Sequence, residues 1–340
     1  MRRLDADQGF CCPQCKGGLD YDGARYHCPA CLRGYPLRFG IPDFRLGEAD
    51  LEDAGFFAAE AERRSFEELV RLYYRRKRHS EDLIERRVRG VLALAEKGAE
   101  NLDEIAALSG GRLGPGAGAM LEVGCGAGGS LLAARERFAR VVGIDIALDW
   151  LVMARRRFAE LGLDIPLACA GAEHLPFGSG SFDLILAQDV LEHVSDQDAT
   201  LREGARALKP GGVFFLSTPN RFSLTPEPHV RVWGVGFLPR GWMERYVRLV
   251  KGVPYKQIRL LSARDIRRLL ARNGLPDHRV LLPPIPREEA RYFSTLQKLE
   301  KACYDAGRRT PGLRALLYLI GPFFHILCYV DKDRDAGRSA

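Results

Sequence analysis

Cysteine is scarce outside one short stretch of this 340-residue chain. Nine are present, and five of them fall between Cys11 and Cys31. The others, Cys125, Cys169, Cys303 and Cys328, sit alone, mostly in apolar contexts. That distribution argues against a disulfide framework and for a reducing compartment with one local metal site. Apolar runs long enough to span a bilayer are also missing. The nearest approach, Ala315 to Val330, is slightly short and contains Pro322 and His325, so a core role is favoured over a span. Monotopic membrane contact by helices in residues 290–320 is the competing reading. No signal peptide is expected, because Met1 to Phe10 is polar and runs straight into cysteines. The formal charge of +7 suits an anionic partner without requiring one. The length allows two domains, or one large domain with an appendage, and an ample core.

The stretch the chain is organised around is Met120 to Leu132, MLEVGCGAGGSLL. Met120, Leu121 and Val123 suit a buried strand; Gly124, Gly126, Gly128 and Gly129 break it; Leu131 to Phe138 has helical spacing. Strand, glycine turn and helix together present free backbone N–H groups to a ligand. Gly124, Gly126 and Gly129 satisfy GxGxxG, and Asp145 follows about twenty residues on, as in a dinucleotide site. Further strands are expected near 140–146, 165–170, 182–188 and 212–218, with helices near 128–138, 148–161 and 196–207. This alternation implies a doubly wound α/β sheet covered on both faces. Gly124, Asp145, Gly171, Gln188 and Ser217 all fall at C-terminal strand ends, where such sheets bind ligands.

The text LEVGCGAGGSLL, VVGIDIA, AEHLPFGSGSFDLIL, VLEHV and LKPGGVFFLSTPN, covering residues 119 to about 221, resembles the class I S-adenosylmethionine (SAM) dependent methyltransferases. The match is to the branch with the ubiquinone and menaquinone methyltransferases. The resemblance implies a Rossmann-like seven-stranded methyltransferase sheet that binds SAM. It implies that Glu122, Gly124 and Gly126 frame the methionine part, with Cys125 and Gly128 completing the loop. Asp145 would hold the ribose, Ile146 would lie against the adenine, and Ala172 and Glu173 would border its edge. Gln188 would close the site from the fourth strand. The family usually has an acid where this chain has Gly171, so adenine recognition would fall to the Ala172 backbone and Glu173. The family fold also turns Phe323 to Val330 into a final antiparallel strand after a short helix.

Residues 12–31 read CPQCKGGLDYDGARYHCPAC. Cys12 and Cys15 form one CxxC, and Cys28 and Cys31 the other. Two such knuckles joined by a short hairpin place four thiolates around a structural Zn2+. Cys11 is an extra thiol, and His27 an alternative ligand. So small a module has almost no core, and the metal would carry its folding. With YPL and GIPDF following, residues 10–46 resemble the Trm112-like zinc ribbons that activate translation and tRNA methyltransferases. A similar ribbon is fused to some ribosomal RNA methyltransferases. The expected division is a zinc ribbon at 1–47, a helical region and linker at 48–118, and the SAM domain at 119–332 with an insertion at 222–260. In the helical region, helices are expected over 81–96 and 102–108, with Arg75 to His79 as a solvated basic face and Gly110 to Gly118 as a flexible linker.

The insertion carries Trp233, Trp242, Tyr246, Tyr255, His229 and many arginines, and long segments of this kind are usually lids or substrate loops. Ser262 and Asp265 signal the start of a helix ending near Asn273, before Gly274. Methyl transfer is an in-line displacement in which the enzyme aligns the reactants and removes a proton where needed. His193, after the fourth strand, and His229 are the candidate general bases. The leading expectation is a SAM-dependent methyltransferase acting on a small-molecule or lipid-linked acceptor, at oxygen. An RNA methyltransferase using the ribbon to bind substrate, and a non-catalytic scaffold whose ribbon binds a protein partner, are the alternatives. Localisation would be cytoplasmic, with peripheral contact at the inner membrane face as the variant for a lipid-linked acceptor.

Overall fold

The computed structural model describes residues 9–47, 50–114, 116–285 and 295–330. Residues 1–8 and 331–332, the outer ends of the expected division, lie outside the described residues. So does 290–294, the start of the segment weighed for membrane contact.

Four short strands open the chain: β1 (Asp20–Tyr21), β2 (Arg25–His27), β3 (Gly34–Arg38) and β4 (Ile41–Pro42), paired in that order into an antiparallel sheet. Four helices follow, α1 (Glu52–Ala61), α2 (Phe66–Arg76), α3 (Glu81–Leu92) and α4 (Leu94–Leu108). The α/β alternation then runs β5 (Ala117–Val123), α5 (Gly129–Ala134), β6 (Phe138–Asp145), α6 (Leu148–Glu160), β7 (Leu167–Cys169), β8 (Phe182–Gln188), α7 (Gln197–Ala207) and β9 (Leu208–Pro219). The remainder is α8 (Arg240–Lys251), α9 (Ala263–Arg272), β10 (His278–Leu281), α10 (Thr295–Arg309), α11 (Pro311–Ile320) and β11 (Phe323–Tyr329).

The larger sheet has seven strands in the order β10-β11-β9-β8-β5-β6-β7. β5, β6 and β7 pair in parallel, and β10 with β11 antiparallel. The final strand thus forms where the sequence places it, and it lies inside the sheet. Its burial follows: Phe324, Ile326, Leu327 and Cys328 are fully buried.

By contacts the chain divides into two compact units. Of the described residues, the first takes those within 9–186, 203–213 and 330, and the second those within 187–202, 214–285 and 295–329. In the first, Leu121, Val142, Ile144, Phe182, Leu184 and Leu186 are buried completely or nearly so. Each contributes roughly 1.5–3 kcal/mol by leaving water. The four-stranded sheet belongs to this unit and packs on its β7 edge. Asp43 bridges to Cys169 in parallel, Phe44 N donates to Cys169 O at 2.7 Å, and Phe10 bridges to Phe177. Lys16 Nζ reaches Leu175 O at 3.0 Å and Glu203 at 2.5 Å.

Several boundaries differ from expectation. The helix expected over 81–96 stops at Leu92, and the next begins at Leu94 rather than Leu102. Inside the second of these helices Gly98 lies so close to α5 that a Cβ there would come within 2.7 Å of Ser130 Cα. The helix expected to reach Phe138 stops at Ala134, because Arg137 N turns back to Ala134 O at 2.9 Å and Phe138 opens β6. β9 starts at Leu208, since its Pro-Gly-Gly segment is held by Val330: Gly211 N donates to Val330 O, and Val330 N to Gly212 O. The basic run of α2 is paired with acids, Arg75 with Glu81, Arg76 and Lys77 with Asp53.

In the second unit the insertion has its own small core of Val232, Val235, Met243, Val247 and Tyr255. Helix α9 begins with a capping box in which Ser262 Oγ accepts from Asp265 N, and the Asp265 carboxylate accepts from Ser262 N. This satisfies two otherwise unpaired N–H groups.

Candidate functional site

In the first unit the site grows out of the turn between β5 and α5. Gly124 N and Cys125 N both donate to Ile144 O, at 2.8 and 3.0 Å, which pins the loop to β6. Gly124, Gly126 and Gly128 have φ of 73°, 46° and 70°, a region L side chains rarely enter. Two of these glycines do different work. A Cβ on Gly128 would run into the Phe158 ring, so its absence lets the loop close on α6. A Cβ on Gly126 would meet nothing within 4 Å, so that position faces open space.

Two acids flank the loop. Asp145, at the end of β6, accepts from Gly126 N through Oδ2 and from Ala147 N through Oδ1, both at 2.8 Å. A carboxylate offers about four acceptor positions, so further donors can still reach it. Burial raises its carboxyl above the ordinary range, while the bonds from Ala147 and Gly126 hold it down. Glu122 is buried, and its Oε2 accepts no hydrogen bond from the described residues. Burial pushes its carboxyl up to about 8, against the bond from Ser130, and the neighbouring Asp145 adds to the rise. Ile146, directly after Asp145, is 62 % exposed, unusual for a large apolar side chain at a strand end. Ala172 is buried, and Glu173 Oε2 stands 3.1 Å from where a Gly171 Cβ would lie. An acid therefore reaches the space over Gly171 from two residues further along. An orphaned buried acid, an open glycine, a strand-end acid and an exposed apolar side chain together suit a polar ligand with an apolar ring.

The second unit holds a different cluster. Gln188 is half-buried at the end of β8. Beyond it, His193 Nε2 and His229 Nε2 are 3.0 Å apart, with the rings edge to face. His229 Nδ1 is bonded to Glu227 Oε1. Glu227 is itself fixed, accepting His229 N and Val230 N through Oε2 at 2.9 Å. Glu192 is fully buried; its Oε2 accepts from Thr218 Oγ1 at 3.0 Å, and its unpartnered Oε1 lies 4.0 Å from His229 Nε2. Burial pushes the Glu192 carboxyl up to about 8, and Asp189 adds to it. Burial and the neighbouring His229 lower His193. Burial also works to lower His229, but Glu227 outweighs it and the net shift is upward. Two imidazoles in contact are thus driven apart in basicity, the pattern that separates a proton acceptor from a proton store.

The sequence singles out both histidines and neither acid. Glu192 was legible as the residue before His193 in VLEHV. Glu227 stands two residues before His229, and nothing in the sequence shows that the turn folds it back onto the ring. Glu192, His193 and His229 also place one donor atom each within 4.8 Å of one another, a carboxylate and two imidazoles of the kind that ligate divalent transition metals.

In the four-stranded sheet, the sulfurs of Cys12, Cys15, Cys28 and Cys31 all lie within 4.8 Å of one another. Cys12–Cys31 and Cys15–Cys28 are 3.5 and 3.4 Å apart. Zn–S bonds of about 2.3 Å in a tetrahedron put sulfurs about 3.8 Å apart, so the four thiols fit that ion with slight expansion. His27 is turned away, bonded to Asp22 at 2.8 Å. Cys11 is buried outside the cluster.

A family profile described as "Methyltransferase domain" matches residues 121–216. The ubiquinone biosynthesis O-methyltransferase of Idiomarina loihiensis is 36% identical over 163 residues, 46% of this chain and 64% of that protein. The protein of the same name in Caulobacter vibrioides is 44% identical over 106 residues, 30% of this chain and 41% of that protein. Among solved structures, phosphoethanolamine N-methyltransferase 2 of Haemonchus contortus aligns over 68% of this chain and 52% of its own, at 20% identity and a TM-score of 0.45. The chain thus spans less than two thirds of the curated relatives quoted. The segment that carries the glycine loop, Asp145 and VLEHV is thus a methyltransferase domain, similar over that stretch to ubiquinone biosynthesis O-methyltransferases.

Proposed function

We propose that the protein transfers a methyl group from SAM to a hydroxyl of a small-molecule or lipid-linked acceptor. The observation that carries this reading is the His193–His229–Glu227 chain in a methyltransferase domain. SAM supplies an electrophilic methyl on a sulfonium. Glu122 Oε2 suits its ammonium, Asp145 its ribose hydroxyls, Ile146 a face of its adenine, and Ala172 with Glu173 the adenine edge. Gly124, Cys125, Gly126 and Gly128 shape the loop, and Gln188 stays in the proposed set from the second unit.

The histidines take the acceptor's proton. With the tautomers assigned from their partners, His229 Nδ1–H donates to Glu227, and His193 Nε2–H donates to His229 Nε2. That leaves His193 Nδ1 as the acceptor for a substrate hydroxyl. A proton gained at Nδ1 is balanced by passing the Nε2 proton to His229, where Glu227 and Glu192 stabilise the charge. The oxygen forms its bond to the methyl carbon as the carbon–sulfur bond breaks. Orientation of a base by a second group, itself held by an acid, is the arrangement acid–base catalysis requires.

Zinc bound by Cys12, Cys15, Cys28 and Cys31 is part of the same proposal, as is the division at residues 47 and 118. Acceptor selection falls to the insertion. On its helix α8, Trp242, Leu249 and Val250 are 63, 86 and 55 % exposed beside Arg245, Arg248 and Lys251. An apolar face with a basic margin suits an acceptor carried in a lipid surface. No helix among the described residues is long and apolar enough to cross a membrane. The test is transfer from labelled SAM to a panel of phenols and catechols, with and without lipid tails, alongside RNA. Label in an ether methyl supports the proposal; label only in RNA overturns it.

A further inference from the structure

The cysteine ribbon is joined to the adenine side of the proposed cofactor site by one short route. Cys12 Sγ is hydrogen-bonded to Tyr35 Oη at 3.1 Å, and the Tyr35 ring packs edge-on to Phe44 with centroids 5.4 Å apart. Phe44 N donates to Cys169 O, and Asp43 beside it bridges to the same residue. Asp43 holds Arg45 in a two-point pair, Nε to Oδ1 at 2.9 Å and Nη2 to Oδ2 at 2.7 Å. Both side chains are largely out of solvent, at 6 % and 14 % exposed. The remaining arm of the guanidinium, Nη1, donates to Ile146 O at 3.3 Å, and Cys169 Sγ reaches the same oxygen at 3.5 Å. Ala170 N then bonds to Asp145 O at 3.0 Å.

Ile146 and Asp145 are the residues read above as the adenine and ribose contacts, so this inference rests on that reading. We infer that Arg45 is a positioning residue for SAM: it fixes the Asp145–Ile146 turn, and the zinc-bound ribbon fixes Arg45. A planar fork suits this work, because it pairs with a carboxylate on one side and keeps a donor for a carbonyl on the other. Ribbon and cofactor site are therefore coupled, and by linkage each tightens the other.

The experiment is calorimetry with S-adenosylhomocysteine on the full chain. Arg45→Ala should weaken binding about tenfold, within the usual range for coupled sites, with zinc content and circular dichroism unchanged. Arg45→Lys should fall between, since an ammonium can serve Asp43 or Ile146 O but not both in one plane. Zinc removal from the wild type should give a similar loss, and removal from Arg45→Ala should add less than twofold, because both act through one route. In turnover, Arg45→Ala should raise KM for SAM and leave kcat unchanged. Wild-type affinity in both Arg45→Ala and the zinc-depleted protein overturns the coupling. Absence of binding in the wild type overturns the cofactor reading instead.

Discussion

Asp145→Asn separates cofactor binding from folding. The carboxylate accepts Gly126 N and Ala147 N at 2.8 Å each, one on either oxygen. Asparagine is nearly the same size but offers one acceptor oxygen and turns the other position into a donor. It can serve one of the two loop N–H groups, and it brings no charge to a ribose hydroxyl. Losing one hydrogen bond to a charged group costs roughly 1.5–3 kcal/mol, so affinity for S-adenosylhomocysteine should fall about tenfold to a hundredfold. Stability responds to two opposed terms. Burial raises the Asp145 carboxyl, so its contribution to stability declines as pH climbs from the ordinary carboxylate value through the folded one. Asparagine removes that cost at neutral pH. It also leaves one N–H without its acceptor, worth about 1–3 kcal/mol in the other direction. The terms oppose each other, so the melting temperature should fall by less than the lost hydrogen bond alone would cost, at roughly 2–4 °C per kcal/mol. Calorimetry and a thermal melt on the same preparation give both numbers. Unchanged affinity would refute the role of Asp145, and a large drop in melting temperature would refute the separation of binding from folding.

Other outcomes follow from the same geometry. Glu227→Gln removes the charge that raises His229, so the acid limb of the pH profile for kcat/KM should move to lower pH; a limb that stays put rules out the relay. Elemental analysis of protein purified without chelator should give one zinc per chain, and Cys28→Ser should lose it; a second equivalent of metal, lost in His229→Ala, would mean that the histidine cluster binds an ion instead of acting as a free base. Gly128→Ala should cost about 1–3 kcal/mol or more in a denaturant melt, because it combines a positive φ with a collision against Phe158. Gly126→Ala faces open space and should cost less, and a reversed order would contradict the packing described. Trp242→Ala should lower kcat/KM for the acceptor while S-adenosylhomocysteine binds as before; equal turnover would remove the insertion from acceptor selection.

The α/β alternation was readable because each strand is a short apolar run and each βα junction carries glycine or an acid. Asp145 and the glycines announce themselves by residue type at fixed spacing. The CxxC pairs do the same, since a metal constrains spacing as well as composition. What the sequence could not carry was long-range partnership. Arg45 is one arginine among many, and nothing in RLG marks its contact with a carbonyl a hundred residues away. Glu227 sits in a proline-flanked turn that reads as a plain loop, and its burial comes from a fold of the insertion that has no periodicity to betray it. The break between α3 and α4 is not legible either: no proline ends α3, and Ala93 between them carries no turn signal.

That packing has a consequence for where the chain can be cut. Gly98 on α4 and Gly129 at the head of α5 both lie where a methyl group would strike the opposite backbone, Ser130 in one case and Leu94 in the other. The main chains therefore approach closely there, and neither glycine position has room for a side chain of its own. A fragment beginning at residue 119 would present the rear of its glycine turn to water with nothing shaped to cover it. A foreign helical segment grafted in front would need a glycine at the same register. Helix α4 and the head of α5 are built against each other, and a crossover point placed in this chain should not fall across the seam between Gly98 and Ser130.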